Sequence, residues 1–235
     1  MRIQKNGKIC RICGSNKLTI EYDGIIRDGA TTSKTKDRVK MYKCQECGVI
    51  WHDPMKEIDS YYESEEYRQE LEHTSTLKDF YAYSSDAIKD LRGKVDSVVS
   101  FDVIEHVENP VLFMQDVKEL LSENGEAVIG TPTDAPVMRE LLGSIFEENL
   151  LFSTQHLWVF NEQSLRKICQ SAGFSTVDFS YRQRYGIDNM ISWILEKKAG
   201  VKKEYHFITD TLNDIWKREL EAQKMADYIL FYVKK

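Results

Sequence analysis

The chain has 235 residues, of which 42% are hydrophobic and 30% are charged, and its formal net charge is −6. This length accommodates one domain of ordinary size and a second, smaller one. The acidic balance argues against a broad nucleic-acid-binding surface, and no apolar run is long enough to span a membrane. The opening residues, MRIQKNGKIC, lack the apolar core of a signal peptide, so we expect a cytoplasmic protein.

Four cysteines near the N-terminus stand in two pairs, Cys10 with Cys13 and Cys44 with Cys47. Two thiolates three positions apart can bind one metal ion, and a second pair completes the closed tetrahedral shell that zinc takes in structural sites. The alternative is two disulfides, or four unrelated thiols, and disulfides are more typical of exported proteins. We therefore predict that residues 1–54 form a zinc ribbon around one structural zinc ion.

A polar, acidic stretch at residues 55–78 follows the predicted ribbon. Its few aliphatic residues indicate a solvated helix or hairpin that connects two units. The alternative is that Tyr61, Tyr62 and Tyr67 in this connector line a substrate cleft. From residue 79 onward strand and helix patterns alternate, which is typical of an α/β domain. We therefore predict such a domain over residues 79–235.

The elements predicted within this domain give a partial doubly wound sheet. A continuous apolar run, VDSVVSFDVI, predicts a buried parallel strand, and Asn109-Pro110 predicts the start of the next helix, which Gly125 ends. Glu126 to Gly130 predicts a second buried strand. The other predicted elements are a short helix at 85–91, helices at 137–146 and 161–173, a strand at 174–181, helices near 189–198 and 211–225, and a final strand at 226–235.

Polar side chains follow the first strong strand, which ends in SFDVIEHVENP. Asp102, Glu105 and His106 should therefore lie at the carboxyl edge of the sheet, where ligands bind in open α/β folds. His156, in TQHLWVF, is a further candidate for this edge. Such a group can do general acid–base work or hold a divalent cation. The structural alternative is that Glu105 caps the following turn and that His106 packs over the strand end.

Two segments carry a resemblance to a known family. SFDVIEHVENPVLFMQDVKELLSENGEAVIGTPT resembles the second half of class I S-adenosylmethionine-dependent methyltransferases, and QHLWVFNEQSLRKICQSAGF resembles the segment that leads to their sixth strand. The group with an N-terminal zinc ribbon and a tyrosine-rich connector is the most similar. The resemblance implies a Rossmann-like fold, S-adenosylmethionine as cofactor, and an acceptor such as a sugar, a glycan precursor or another small hydroxylated molecule.

The resemblance also implies which residues contact the cofactor. Asp86 matches the acidic position near the adenine ring, and Phe101 with Asp102 matches the cofactor-lining strand end. The family's glycine-rich loop is missing, because the sequence has no Gly-x-Gly, and the room before VDSVVSF is too short for the first two β-α units, which need ~60 residues. Either the shortening is natural, or the natural protein carries a longer segment, or the fold has rearranged.

A natural shortening would leave one edge of the strand at 95–101 unpaired, to be covered by the ribbon, by the connector or by a second copy of the chain. We therefore expect a homo-oligomer as one outcome.

The resemblance further implies a role for the Glu-His pair, which faces the acceptor in the family. His106 is then the general base of methyl transfer to an oxygen or carbon atom, Glu105 orients it, and His156 lies near the acceptor. In metal-dependent relatives a similar set binds a divalent ion, for which Asp102 and His156 are the additional positions here. The competing hypothesis is an inactive remnant that serves as a zinc-containing binding or assembly module. A weaker one is nucleic-acid binding through the basic ribbon loop.

Overall fold

The computed structural model describes residues 8–29, 33–54, 90–197 and 205–235. The predicted connector, Asp86 and most of the predicted helix at 85–91 lie outside the described residues. The strands are β1 (Leu18–Gly24), β2 (Val39–Cys44), β3 (Ile50–Trp51), β4 (Val95–Phe101), β5 (Leu121–Pro132), β6 (Trp158–Val159), β7 (Val177–Arg182) and β8 (Tyr228–Lys234). The helices are α1 (Pro110–Leu120), α2 (Pro136–Leu142), α3 (Ser144–Phe146), α4 (Glu162–Ser171), α5 (Ile187–Glu196) and α6 (Asp210–Ala222), and a π-helical turn, Glu147–Leu151, follows α3.

The larger sheet has the strand order β4-β5-β8-β7 and confirms the predicted partial doubly wound α/β architecture. β4 and β5 are parallel, whereas β8 runs antiparallel to both of its neighbours. Helix α1 begins as predicted, because the Asn109 side chain accepts a hydrogen bond from the backbone N–H of Leu112 at 3.0 Å. Met114 and Val117 of α1 pack with Ile129 of β5 in one buried core.

Two predicted boundaries differ from the structure, and both involve glycine. Helix α1 ends at Leu120, and Gly125 lies inside the long strand β5. A side chain at Gly125 would come within 2.8 Å of the Val95 carbonyl oxygen, so glycine permits a close approach to β4 where the pairing register shifts. The helix predicted at 137–146 is divided into α2 and α3 at Gly143, whose φ of +52° interrupts helical geometry.

The smaller sheet joins the N-terminal segment to the α/β part. Its order is β1-β2-β3-β6, so its fourth strand comes from much later in the chain. Ile50 pairs with Val159 and Trp51 with Trp158. The core that contains the ribbon cysteines also contains residues of the larger sheet, so the two parts pack as one body. None of the described helices has the length and apolar character needed to cross a membrane.

Candidate functional site

The four cysteines predicted as zinc ligands lie together. The Sγ atoms of Cys10 and Cys47 are 3.7 Å apart, those of Cys13 and Cys44 are 3.5 Å apart, and all four lie within 4.8 Å of one another. Four sulfurs placed at ~2.3 Å from a tetrahedral zinc ion are separated by ~3.8 Å, whereas a disulfide would require ~2.05 Å. The four thiols are free, and their spacing fits one closed tetrahedral metal site.

Each cysteine pair is built on the same tight turn. The backbone N–H of Gly14 donates to the Cys10 carbonyl at 2.8 Å, and that of Gly48 donates to the Cys44 carbonyl at 2.9 Å. Both glycines have φ near +70°, at +73° and +71°, a conformation that side chains disfavour. The sequence Cys-x-x-Cys-Gly therefore encodes the turn as well as the ligands.

Glu105 is the most buried charged side chain at the carboxyl edge of β4. It is 1% exposed, and one of its oxygens, Oε2, accepts a hydrogen bond from the Thr131 hydroxyl at 2.9 Å. The other oxygen, Oε1, is buried without a hydrogen-bond partner. Burial raises the pKa of Glu105 to about 7, so this carboxyl group exchanges its proton near neutral pH.

The two predicted histidines lie beside this carboxyl group. The rings of His106 and His156 meet edge to face with centroids 4.7 Å apart, although the residues are far apart in sequence. His106 Nδ1 lies 2.9 Å from the Gln155 carbonyl oxygen, which can only accept, so a neutral imidazole carries its proton on Nδ1 and its lone pair on Nε2. That Nε2 atom lies 3.9 Å from Glu105 Oε1.

Burial keeps both imidazoles neutral at physiological pH. It lowers the pKa of His106, and it lowers the pKa of His156 to about 3, with His106, when protonated, and Arg27 adding to the effect. The donor atoms of Glu105, His106 and His156 lie within 4.8 Å of one another, a spacing that would also suit a metal ion. Asp102, the fourth predicted member, is not part of this group.

A cavity of about 350 Å³ lies next to the cluster. Asp102, Glu105 and His156 line it, whereas His106 is not among its lining residues. The volume is that of a site for a small organic molecule. Much of the remaining wall is apolar and includes Met138, Phe146, Leu150, Met190, Trp193 and Trp216.

Three charged residues that the sequence analysis did not single out also line this cavity, namely Arg27, Arg184 and Asp227. Asp227 Oδ1 accepts a hydrogen bond from the backbone N–H of Arg184 at 3.0 Å and lies 3.5 Å from its Nε. Burial raises the pKa of Asp227. These contacts follow from the pairing of β7 with β8, so a correct strand register was the signal needed to find them.

Of the residues predicted to bind the cofactor, two lie within the described chain. Phe101 is 50% exposed at the end of β4, and Asp102, whose side chain is 55% exposed, has a φ of +54°. An accessible ring and an accessible carboxylate suit a ligand that carries an adenine ring and an ammonium group. Gly130 makes room for the Phe101 ring, since a side chain there would lie 2.6 Å from Phe101 Cδ1.

Comparison with known proteins gives one matching family and several similar solved structures. A family model described as a methyltransferase domain matches residues 42–178, which is more than half of the chain. No curated protein matches the chain.

Among solved structures, a SAM-dependent methyltransferase from Thermotoga maritima is similar at 16% identity and a TM-score of 0.38, over 61% of this chain and 57% of that one. A SAM-dependent methyltransferase from Archaeoglobus fulgidus is similar at 14% identity and a TM-score of 0.38, over 64% of each chain. Phosphoethanolamine N-methyltransferase 2 from Haemonchus contortus shares 16% identity at a TM-score of 0.34, over 62% of this chain and 34% of its own. The chain spans less than two thirds of the length of each of these proteins.

Proposed function

The chain belongs to the methyltransferase-domain family, and we propose that it transfers the methyl group of S-adenosylmethionine to an oxygen or carbon atom of a small hydroxylated acceptor. A sugar or a glycan precursor is the acceptor class that we favour. The observation that carries the proposal is the convergence of Glu105, His106 and His156 beside a cavity at the carboxyl edge of β4. S-adenosylmethionine would supply an electrophilic methyl group, and the chain would supply orientation and a base.

His106 is the proposed general base. Its Nδ1 proton is directed to the Gln155 carbonyl, and its Nε2 faces Glu105. Because Glu105 lines the cavity and His106 does not, the acceptor's proton reaches the imidazole by way of the Glu105 carboxyl group. Glu105 lines the cavity with an oxygen that lacks a partner and lies 3.9 Å from His106 Nε2, so it can orient the imidazole and stabilise its charged form. His156 completes the wall of the cavity next to these groups.

The charges around the cluster of Glu105, His106 and His156 favour acid–base chemistry over the binding of a metal ion. The positive charges of Arg27 and Arg184 act on His156, and both disfavour a further cation there. The proposed cofactor contacts are Phe101 and Asp102 at the strand end, together with Asp86.

Isothermal titration with S-adenosylmethionine tests the proposal directly. We expect saturable binding that is weakened at least tenfold in Asp102→Asn, because the variant removes a carboxylate exposed at the strand end. The enzyme hypothesis would be rejected if folded, zinc-loaded protein showed no detectable binding at millimolar cofactor. That result would favour the zinc-containing binding or assembly module instead.

A labelled-methyl transfer assay with a panel of sugars and nucleotide sugars tests whether His106 acts as the general base. We expect His106→Asn to lower kcat by a factor of about 10² to 10⁴ while cofactor affinity stays near that of the wild type. His206→Asn is the matched control, because His206 is exposed and outside the cavity lining. Equal activity of the two variants would remove His106 from the mechanism.

A further inference from the structure

The cavity collects buried polar atoms that have no partner. In folded proteins nearly all such atoms are hydrogen-bonded, so each exception calls for an explanation. Six side chains of the described cavity wall carry such an atom: Arg27 Nε, Glu105 Oε1, Asn189 Oδ1, Trp193 Nε1, Trp216 Nε1 and Asp227 Oδ2. They come from five segments of the chain, since Asn189 and Trp193 both lie on α5, and three of them are donors and three are acceptors. A polar ligand that fills the cavity would satisfy both kinds.

The two arginines at the cavity differ in their ion pairing. Arg184 forms ion pairs with Asp227 at 3.5 Å and Asp102 at 4.0 Å. Among the described residues, the Arg27 guanidinium has neither a carboxylate within ion-pair distance nor a hydrogen-bond partner. Burial lowers the pKa of Arg27, which shows the cost of holding this cation away from water.

The backbone of Arg27 is fixed by two hydrogen bonds. Its N–H donates to the Phe152 carbonyl at 3.2 Å, and its carbonyl accepts from the Thr154 N–H at 3.0 Å. These two bonds fix the residue against the loop that leads to His156. The Arg27 side chain lines the cavity, so the fixed backbone places its guanidinium within reach of a ligand bound there.

We propose that the cavity binds its acceptor through an oxyanion group, a carboxylate or a phosphate, that pairs with the guanidinium of Arg27. Guanidinium groups bind both oxyanions through paired N–H bonds. The body of the acceptor then lies against Trp193 and Trp216, whose indole N–H groups donate to its oxygens. This inference rests on the proposed function, since it names the acceptor class of the same site.

Thermal unfolding of the full zinc-loaded chain in different sodium salts tests the proposal without knowledge of the acceptor. At matched ionic strength, we expect phosphate or acetate at about 50 mM to raise the Tm of the wild type by a few degrees above its value in chloride. Because phosphate also stabilises folded proteins by its exclusion from their surface, only the part of the gain that requires Arg27 is compared. A larger Arg27-dependent gain with phosphate indicates a phosphate-bearing acceptor, and a larger one with acetate a carboxylate-bearing acceptor. No gain in Tm with either anion would overturn the proposal.

Substitutions of Arg27 test whether the gain in Tm arises from anion binding at this residue. Arg27→Met should abolish the anion-dependent gain and, in chloride, should be at least as stable as the wild type, because a half-buried charge without an ion-pair partner is removed. Arg27→Lys should keep part of the gain, and the exposed Arg218→Met should keep all of it. An undiminished gain in Arg27→Met would overturn the proposal, and so would a loss of stability in chloride shared by both Arg27 variants.

The cofactor titration separates this inference from the function on which it rests. An Arg27-dependent anion effect in a chain that binds no S-adenosylmethionine would keep the anion site and remove the methyltransferase. Cofactor binding and methyl transfer without that effect would keep the enzyme and remove the proposed acceptor class.

Discussion

At the scale of single residues, Glu105 couples folding to pH through its burial. Its pKa rises from 4.5 to about 7 when the chain folds, because the carboxylate loses water that one hydrogen bond from Thr131 does not replace. The folded state therefore binds the proton more tightly than the unfolded state. The contribution of Glu105 to the free energy of unfolding is fully present below its unfolded pKa. It is lost as the pH rises from 4.5 towards 7.

Replacement of Glu105 by glutamine should remove this dependence. The amide keeps an oxygen for the Thr131 hydroxyl but never ionises, so Glu105→Gln should gain up to about 3 kcal/mol in free energy of unfolding relative to wild type between about pH 4 and pH 8. Urea unfolding of both proteins across this range measures the difference. The exposed Glu123→Gln serves as the control and should show no such trend. A stability difference that stays constant with pH would contradict the buried-carboxyl explanation.

At the scale of elements, the two-residue strand β6 connects the metal centre to the cavity. It pairs with β3 of the ribbon, and the backbone N–H of His52, next to β3, donates to the Leu157 carbonyl at 3.3 Å. His156 therefore lies two residues before a strand that pairs with the ribbon. The turn at Cys44 and Cys47 joins β2 to β3, and the cysteines belong to the core that the two sheets share. Loss of the metal should therefore loosen the packing of this core.

Metal analysis tests this connection. We expect one zinc ion per chain in protein prepared without chelator, and Cys47→Ser should lose most of the metal and unfold at a lower temperature. Cys169→Ser makes the same change in the buried core away from the cluster, so it should keep its zinc whatever its effect on stability. A zinc content near zero in the wild type would reject the predicted ribbon.

At the scale of the whole molecule, local signals were readable from the sequence and long-range pairings were not. The cysteine spacing, the Asn109 cap and the polar end of β4 each depend on a few neighbouring residues, and the structure contains all three arrangements. The pairing of β3 with β6 joins segments about one hundred residues apart, and periodicity carries no information about such a partner.

Dependence on long-range pairing also explains why Arg27 and Asp227 were not predicted as residues of the candidate site. Arg27 reaches the cavity only because its backbone bonds to residues 152 and 154, and Asp227 meets Arg184 only through the register of β7 and β8. Single charged residues after a strand are common, so composition gave no reason to select them. His156 was found because it stands in a recognisable motif, although its contact with His106 was beyond sequence reasoning.

The unpaired strand edge predicted from the shortened sequence leads to a test of assembly. Among the described residues β4 pairs with β5 alone, and Val99 on this strand is 62% exposed. A regular, apolar strand edge favours pairing with another chain, and charged side chains oppose it. We expect light scattering to give a mass of at least twice 27.4 kDa, and Val99→Lys to shift the protein towards the monomer.

Leu112→Lys provides the comparison for this last prediction. Leu112 is 51% exposed, close to the value for Val99, but it lies on α1, which packs on the opposite face of the sheet from Val99. The Leu112→Lys substitution adds the same charge away from the β4 edge, and we expect it to leave the mass measured by light scattering unchanged. If the wild type is monomeric at all concentrations, a segment of the chain itself covers β4, and the second copy is not needed to explain how this strand is kept from aggregating.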